Sequence, residues 1–181
     1  ASKKIKYGWG NYLIRKRYTS NVWENGSKIL VLTGASDILK LGKTLPSKLD
    51  KVLQEGIEVT WVKGPLASYP IIPKKCNAKW IISDSPNHLD ELLLESNYVF
   101  TVYGVSFFEA LQYGIPTVVF SPYEKKDINE FKKLKKENIA YVAEDDESAI
   151  NGLVKLMNDD IKCKEYSKQS LKKMKINGAK N

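Results

Sequence analysis

Between Ser96 and Pro122 the chain reads SNYVFTVYGVSFFEALQYGIPTVVFSP, and this stretch constrains the fold more than any other. Val99–Val102 and Thr117–Phe120 are short, largely apolar runs of the kind that form strands covered on both faces. Between them lie a glycine turn at Gly104, a helical segment over Val105–Tyr113, and a stop at Gly114-Ile115-Pro116. A strand, a crossover helix and a second strand in this order demand parallel pairing. In open parallel sheets, ligands sit where strands end and helices begin, because the first turn of a helix offers unpaired N–H groups and partial positive charge to an anion. Ser106 and the amides around it would face such a group. Glu109, one turn further on, is repelled by phosphate but can accept two hydrogen bonds from a ribose diol.

The same alternation runs through the rest of the chain. Ser27–Thr33 and Ile57–Val62 read as strands, with a helix over Leu45–Glu55 between them that stops at Gly56. Gly64–Pro73, with three prolines, is a loop, and Trp80–Ser83 is a third strand. Asp84 or Ser85 is placed to cap a helix over Pro86–Glu95. Further helices are expected over Ile128–Lys136, Glu147–Met157 and Lys162–Lys175, with a strand at Ala140–Val142. The pattern predicts an α/β domain: a mostly parallel, Rossmann-like sheet with helices on both faces. It occupies residues 27–176, after a linker-like leader over 1–26 with a short helix and before a tail over 177–181.

At 181 residues with 43% hydrophobic content, the chain is long enough for one proper core. No apolar run spans a membrane, and no signal peptide is evident. Cys76 and Cys163 lack metal-type spacing, so neither zinc nor a disulfide framework is expected, and a cytoplasmic setting fits. The net charge of +8 is concentrated in Lys125–Lys136 and Lys162–Lys175. These runs read first as solvated faces of amphipathic helices. Attraction to anionic lipid at a membrane surface is the next reading. Nucleic acid is a poorer one, since no aromatic-and-basic RNA-binding motif is present.

The central segment resembles the donor-binding half of GT-B glycosyltransferases, in particular the MurG-like group and the related PseG/SpsG-type UDP-sugar hydrolases. The family motif is roughly G-G-S-T-x-x-E followed by glycine-x-proline. Here it reads Tyr103-Gly104-Val105-Ser106-Phe107-Phe108-Glu109, then Gly114-Ile115-Pro116. Gly34-Ala35-Ser36-Asp37, behind the first strand, is similar to the family's G-G-S-D turn. Gly10-Asn11-Tyr12-Leu13-Ile14-Arg15 with Tyr18 is similar to a linker pattern of the hydrolases, and His88–Leu93 takes the place of a segment packed near the base. Asn177-Gly178-Ala179 is similar to a stretch near the family's C-terminus.

The resemblance implies a UDP-sugar held by Gly34, Ser36, Gly104, Ser106 and Glu109, with no metal or other cofactor. It also implies that the catalytic base lies in an N-terminal domain or a separate partner subunit. The chain departs from the motif at Tyr103, where a glycine is expected, and at Val105, where a serine is expected. A glutamine position that touches the donor sugar falls at Asp127, whose charge suits sugar hydroxyls and not a diphosphate. These departures keep a second expectation open, a GT-B-like domain serving as an interaction or regulatory module. Plainer roles also stand beside the functional ones. Glu109 can complement the helix dipole, Ser106 can serve as an N-cap, Gly114 as a C-cap, Phe107 and Phe108 as core, and His88 as a surface or capping residue.

Overall fold

The computed structural model describes residues 17–121, 123 and 127–174. Its strands are β1 (Lys28–Leu32), β2 (Glu58–Lys63), β3 (Lys79–Asp84), β4 (Tyr98–Val102), β5 (Thr117–Phe120) and β6 (Tyr141–Val142). All pair in parallel, in the order β3-β2-β1-β4-β5-β6. The helices are α1 (Leu45–Val52), α2 (Leu89–Leu94), α3 (Val105–Gln112), α4 (Ile128–Glu137), α5 (Asp146–Met157) and α6 (Asp160–Lys173), and a single 3-10 turn, Leu41–Lys43, precedes α1.

Alternation along the strands divides the core into two layers. Ile29, Val31, Val59, Trp61, Phe100 and Phe120 pack against Leu45 and Leu49 of α1, Leu153 of α5 and Tyr166 of α6. On the other face Leu30, Leu32 and Val99 meet Leu93 of α2 and Ala110 of α3, and Val119 meets Phe107, Leu111 and Leu134. Every residue of β4 and β5 is buried, which is why both read as uninterrupted apolar runs and not as alternating ones. Helices therefore cover both faces, as the alternation predicts.

Several boundaries differ from expectation for local reasons. α1 ends at Val52, because Leu53 turns extended to bury its side chain and Gly56, at φ 90, makes the bend. α2 begins at Leu89, later than expected, and neither Asp84 nor Ser85 caps it. Asp84 ends β3 and is taken by Lys63 Nζ at 3.0 Å, by the Tyr69 hydroxyl and by Ser85 Oγ, so its carboxylate is not free to cap. α5 and α6 start earlier than expected, at caps supplied by Asp145 and Asp159. Asp145 and Ser148 form a reciprocal capping box.

Residues 17–26 contain no helix and lie strapped across the opposite end of the sheet from the strand C-termini. Trp23 is buried and donates from Nε1 to the Asn97 carbonyl at 2.8 Å, and Ser20 Oγ donates to the Gln112 carbonyl. Residues 10–15 and 177–179, which carry two of the family similarities, lie outside the described residues. Lys132, Lys133, Lys135 and Lys136 of α4 and Lys164, Lys168, Lys172 and Lys173 of α6 are exposed, as expected for solvated helix faces. Among the described residues no helix is long and apolar enough to cross a membrane.

Candidate functional site

β1 and β4 are neighbours in the sheet, but the chain leaves them for opposite faces, toward α1 after β1 and toward α3 after β4. A crevice must open between the two departing loops. The first loop is held by its own backbone. Gly34 sits at φ 85, and Asp37 at φ 45 accepts from the Leu41 and Gly42 amides at 2.9 and 2.8 Å. The second loop reaches α3 through Gly104, and no side chain among the described residues caps that helix.

These loops enclose a cavity of about 340 Å³ lined by Gly34, Ser36, Gly104 and Ser106. Four of the six residues singled out in the sequence therefore come together at one place. Also in its wall are Thr33, Leu41, Val102, Val105 and Tyr123. Thr33 and Tyr123 carry no motif signal and were not expected from the sequence.

Glu109 does not line this cavity. It is half-buried one turn along α3, on the side facing α2. Burial, helped by the nearby Asp90 carboxylate, pushes its pKa up, and a hydrogen bond from the Ser106 side chain partly offsets the rise. Ser106 thus lies within the first turn of α3 instead of at its N-cap position, which is Gly104, and it links the cavity to Glu109. Asp127 is set apart: at the N-cap position of α4 it accepts from the Ser121 hydroxyl, and it is not among the residues around the cavity.

The departures from the family motif have distinct structural outcomes. The Tyr103 ring packs against Phe107, Phe108 and Phe131 at centroid distances of 5.9, 5.8 and 5.4 Å, joining the core on the α3–α4 side. Val105 is 64% exposed and puts an apolar side chain at the cavity wall. Phe107 and Phe108 are core, and His88 is exposed at the N-cap position of α2 without making a side-chain cap.

A second cavity of about 450 Å³ adjoins the first, sharing Ser36 and Ile38, and is lined by Lys40, Lys43 and Tyr69 among others. Its outer wall is the proline-rich loop after β2. That loop is stitched to the first by Leu66 N donating to Ala35 O at 2.9 Å and Ile71 N donating to Gly42 O at 2.8 Å.

Gly104 supplies a direct test of how closely a ligand approaches this backbone. Its φ of 171 is extended, and a Cβ there meets nothing within 4 Å. Gly104→Ala is expected to melt within about 2 °C of the parent, or slightly above it, because alanine narrows the unfolded ensemble. The affinity of any anion that lies on this backbone should fall by about tenfold, roughly the worth of one charge-assisted hydrogen bond; calorimetric titration beside a thermal melt separates the two effects.

No family model and no curated protein matches the sequence. Solved structures do match the fold. MurG from Acinetobacter baumannii aligns at a TM-score of 0.59 and 15% identity, over 84% of this chain and 46% of that one. A mutant of TarM from S. aureus, in complex with Fondaparinux, alpha-GlcNAc-glycerol and UDP, aligns at 0.60 and 12%, over 90% and 34%. SsfS6, a glycosyltransferase from Streptomyces sp. SF2575 complexed with thymidine diphosphate, aligns at 0.56 and 16%, over 96% and 41%. The chain has the fold of a GT-B C-terminal domain. It spans less than half the length of these matched structures. At such identities the likeness establishes the fold alone.

Proposed function

We propose that this GT-B domain binds a nucleoside diphosphate-sugar, with UDP-sugar as the first candidate, and forms the donor half of a glycosyltransferase or UDP-sugar hydrolase of glycan biosynthesis. The observation that carries this reading is the meeting of Gly34 and Ser36 with Gly104 and Ser106 at the β1/β4 crevice, with Glu109 tied to it through Ser106. The diphosphate would lie over the uncapped amides of α3, where fixed donors and the helix dipole favour negative charge. Glu109 would take the ribose hydroxyls. Nucleoside diphosphates bound in the TarM and SsfS6 structures support a ligand of this class.

In this scheme the domain orients the donor and stabilises the departing nucleoside diphosphate by preorganised hydrogen bonds. An N-terminal GT-B domain or a separate subunit supplies the base and the acceptor, and closure against it admits or excludes water. The exposed lysines of α4 and α6 would draw the protein to anionic lipid or to a lipid-linked acceptor at the inner membrane face.

Calorimetric titration of the full chain with UDP, beside GDP and CMP, tests the reading. UDP is expected to bind saturably, and Glu109→Ala to weaken it by about tenfold or more, the loss of hydrogen bonds to a charged acceptor. Affinity unchanged in Glu109→Ala would remove the ribose role. A second reading, an interaction module without donor binding, draws on the exposed apolar side chains of Ile38, Leu39, Val105 and Tyr123 around the crevice. It predicts no uptake of any of the three nucleotides.

A further inference from the structure

The sheet ends on β3, which pairs with β2 alone. Lys79 N donates to Ile57 O at 2.8 Å and Ser85 N to Lys63 O at 2.9 Å, so the odd-numbered residues of β3 turn their backbone groups toward β2. Trp80, Ile82 and Asp84 therefore turn theirs outward, and among the described residues nothing bonds them. An open edge of this kind is usually blunted by a proline, a bulge or a charge at mid-strand. β3 has none of these. Its register to β2 is unbroken from Lys79 to Asp84, and its centre is Ile81 and Ile82, 36% and 38% exposed, one on each face of the sheet. Charge stands at its ends: Lys74, Lys75 and Lys79 lead in, all exposed, and Asp84 closes the strand. Among the described residues Lys74 and Lys75 pair with no carboxylate. Lys79 and Asp84 each keep an internal partner, Glu58 and Lys63, and both remain open to a second charge.

We propose that β3 is the pairing surface for a second copy of this chain, added antiparallel about a two-fold axis through Ile82. The outward-facing set fits itself. With Ile82 opposite the partner's Ile82, Trp80 meets the partner's Asp84 and Asp84 the partner's Trp80, and all three residues exchange the bonds of an ordinary antiparallel ladder. On one face of the sheet Ile82 is covered by the partner's Ile82, and on the other Ile81 lies diagonal to the partner's Ile81. Charge selects both the occupant and the sense of pairing. An antiparallel copy sets the basic entry of one strand alongside the acidic exit of the other, whereas a parallel copy would bring lysine against lysine. The pairing does not rest on the nucleotide-sugar reading, but it is compatible with it. The C-terminal strand ends of the two copies point in opposite directions, so the two β1/β4 crevices open at opposite ends of the joined sheet and neither covers the other. One strand of 6 residues from each copy is a small interface, so the association expected is micromolar and not obligate.

Sedimentation velocity of the full chain, from low micromolar to a few hundred micromolar, tests this beside hydrogen exchange on the same samples. The wild type is expected to pass from monomer to dimer across that range, with the amides of Trp80, Ile82 and Asp84 exchanging slowly only in the dimer. Ile82→Pro removes an outward N–H and no bond to β2, so it should keep the fold and weaken the dimer by about tenfold or more. Ile81→Lys leaves the backbone intact, replaces an apolar contact and sets two ammonium groups diagonally across the axis; it should weaken the dimer by about fivefold to tenfold. Thermal melts establish that the variants are folded. If the proline loosens the strand, Ile81→Lys, whose side chain is already at the surface, decides the matter. A wild type that stays monomeric throughout overturns the proposal. So does a dimer that Ile81→Lys leaves unchanged, which would place the contact on another surface. Protection of the three amides at every concentration also overturns it, since the chain itself would then cover the edge.

Discussion

Gly64→Ala is expected to destabilise the domain by about 2–4 kcal/mol, at or above the upper end of ordinary overpacking, and to abolish measurable nucleotide binding. An alanine Cβ at this position would lie 2.4 Å from the Ala35 carbonyl oxygen, 2.5 Å from that of Gly34 and 2.6 Å from the Ala35 carbonyl carbon. All three are backbone atoms, so no side-chain rotation relieves the overlap. The register explains why they meet. Leu32 pairs with Val62, so two residues further along parallel strands Gly64 stands opposite Gly34. The loops cannot simply separate either, because the Leu66 amide bonds Ala35 O and the Ile71 amide bonds Gly42 O. Any relaxation must therefore move the Gly34–Ser36 turn, which is one wall of the crevice. Urea denaturation with UDP titration of the same variant measures both effects. A variant as stable as its parent would mean that the turn yields at no cost, and the rigid-wall account would be lost.

Gly64 also shows what a single sequence can and cannot display. The central unit from β4 to β5 is legible because the burial of its two strands is complete and its punctuation is local: a glycine before α3 and Gly114-Ile115-Pro116 after it. The crevice could be located for the same reason, since Gly34, Ser36, Gly104 and Ser106 sit at fixed offsets from readable strand ends. Features set by distant partners were not legible. The start of α2 was misplaced because Asp84, a good cap by type, is taken by Lys63, 21 residues earlier, and by Tyr69. Asp127 could be placed by counting, but not its hydrogen bond from Ser121, which fixes it at the start of α4. Gly64 read as one more loop glycine because the carbonyls it accommodates belong to another strand's exit. Thr33 read as the end of an apolar run, and only the packing around it reveals that its hydroxyl has no partner among the described residues.

A second large effect is expected at Asp50, which does not line the crevice but is joined to it through the edge strand. Asp50 lies in α1, 5% exposed, and its carboxylate gathers the Asn77 amide at 2.9 Å, the Ala78 amide at 3.1 Å and Trp80 Nε1 at 3.0 Å. Asp50→Ala strands these donors and is expected to cost about 3 kcal/mol, while Asp50→Asn, keeping the shape but not the charge, should cost about 1–2 kcal/mol. Burial alone would raise the Asp50 pKa. The bonds from Trp80, Asn77 and Ala78 outweigh it, and the carboxyl is held below its ordinary value. An acid whose pKa is lower folded than unfolded stabilises the fold above its unfolded pKa and loses that contribution as pH falls through the folded value. The stability gap between wild type and Asp50→Asn should therefore be full at pH 7 and close progressively below about pH 4. Urea midpoints across that range check it, and a gap that does not change with pH would show that the carboxylate's charge contributes nothing. The effect should also travel. The anchored donors open β3, whose last residue, Asp84, holds Lys63 and Tyr69 beside the second cavity. Loosening the start of the edge strand frees the hydrogen-bonded end that positions the proline-rich loop, so Asp50 variants should weaken ligand binding without touching the ligand.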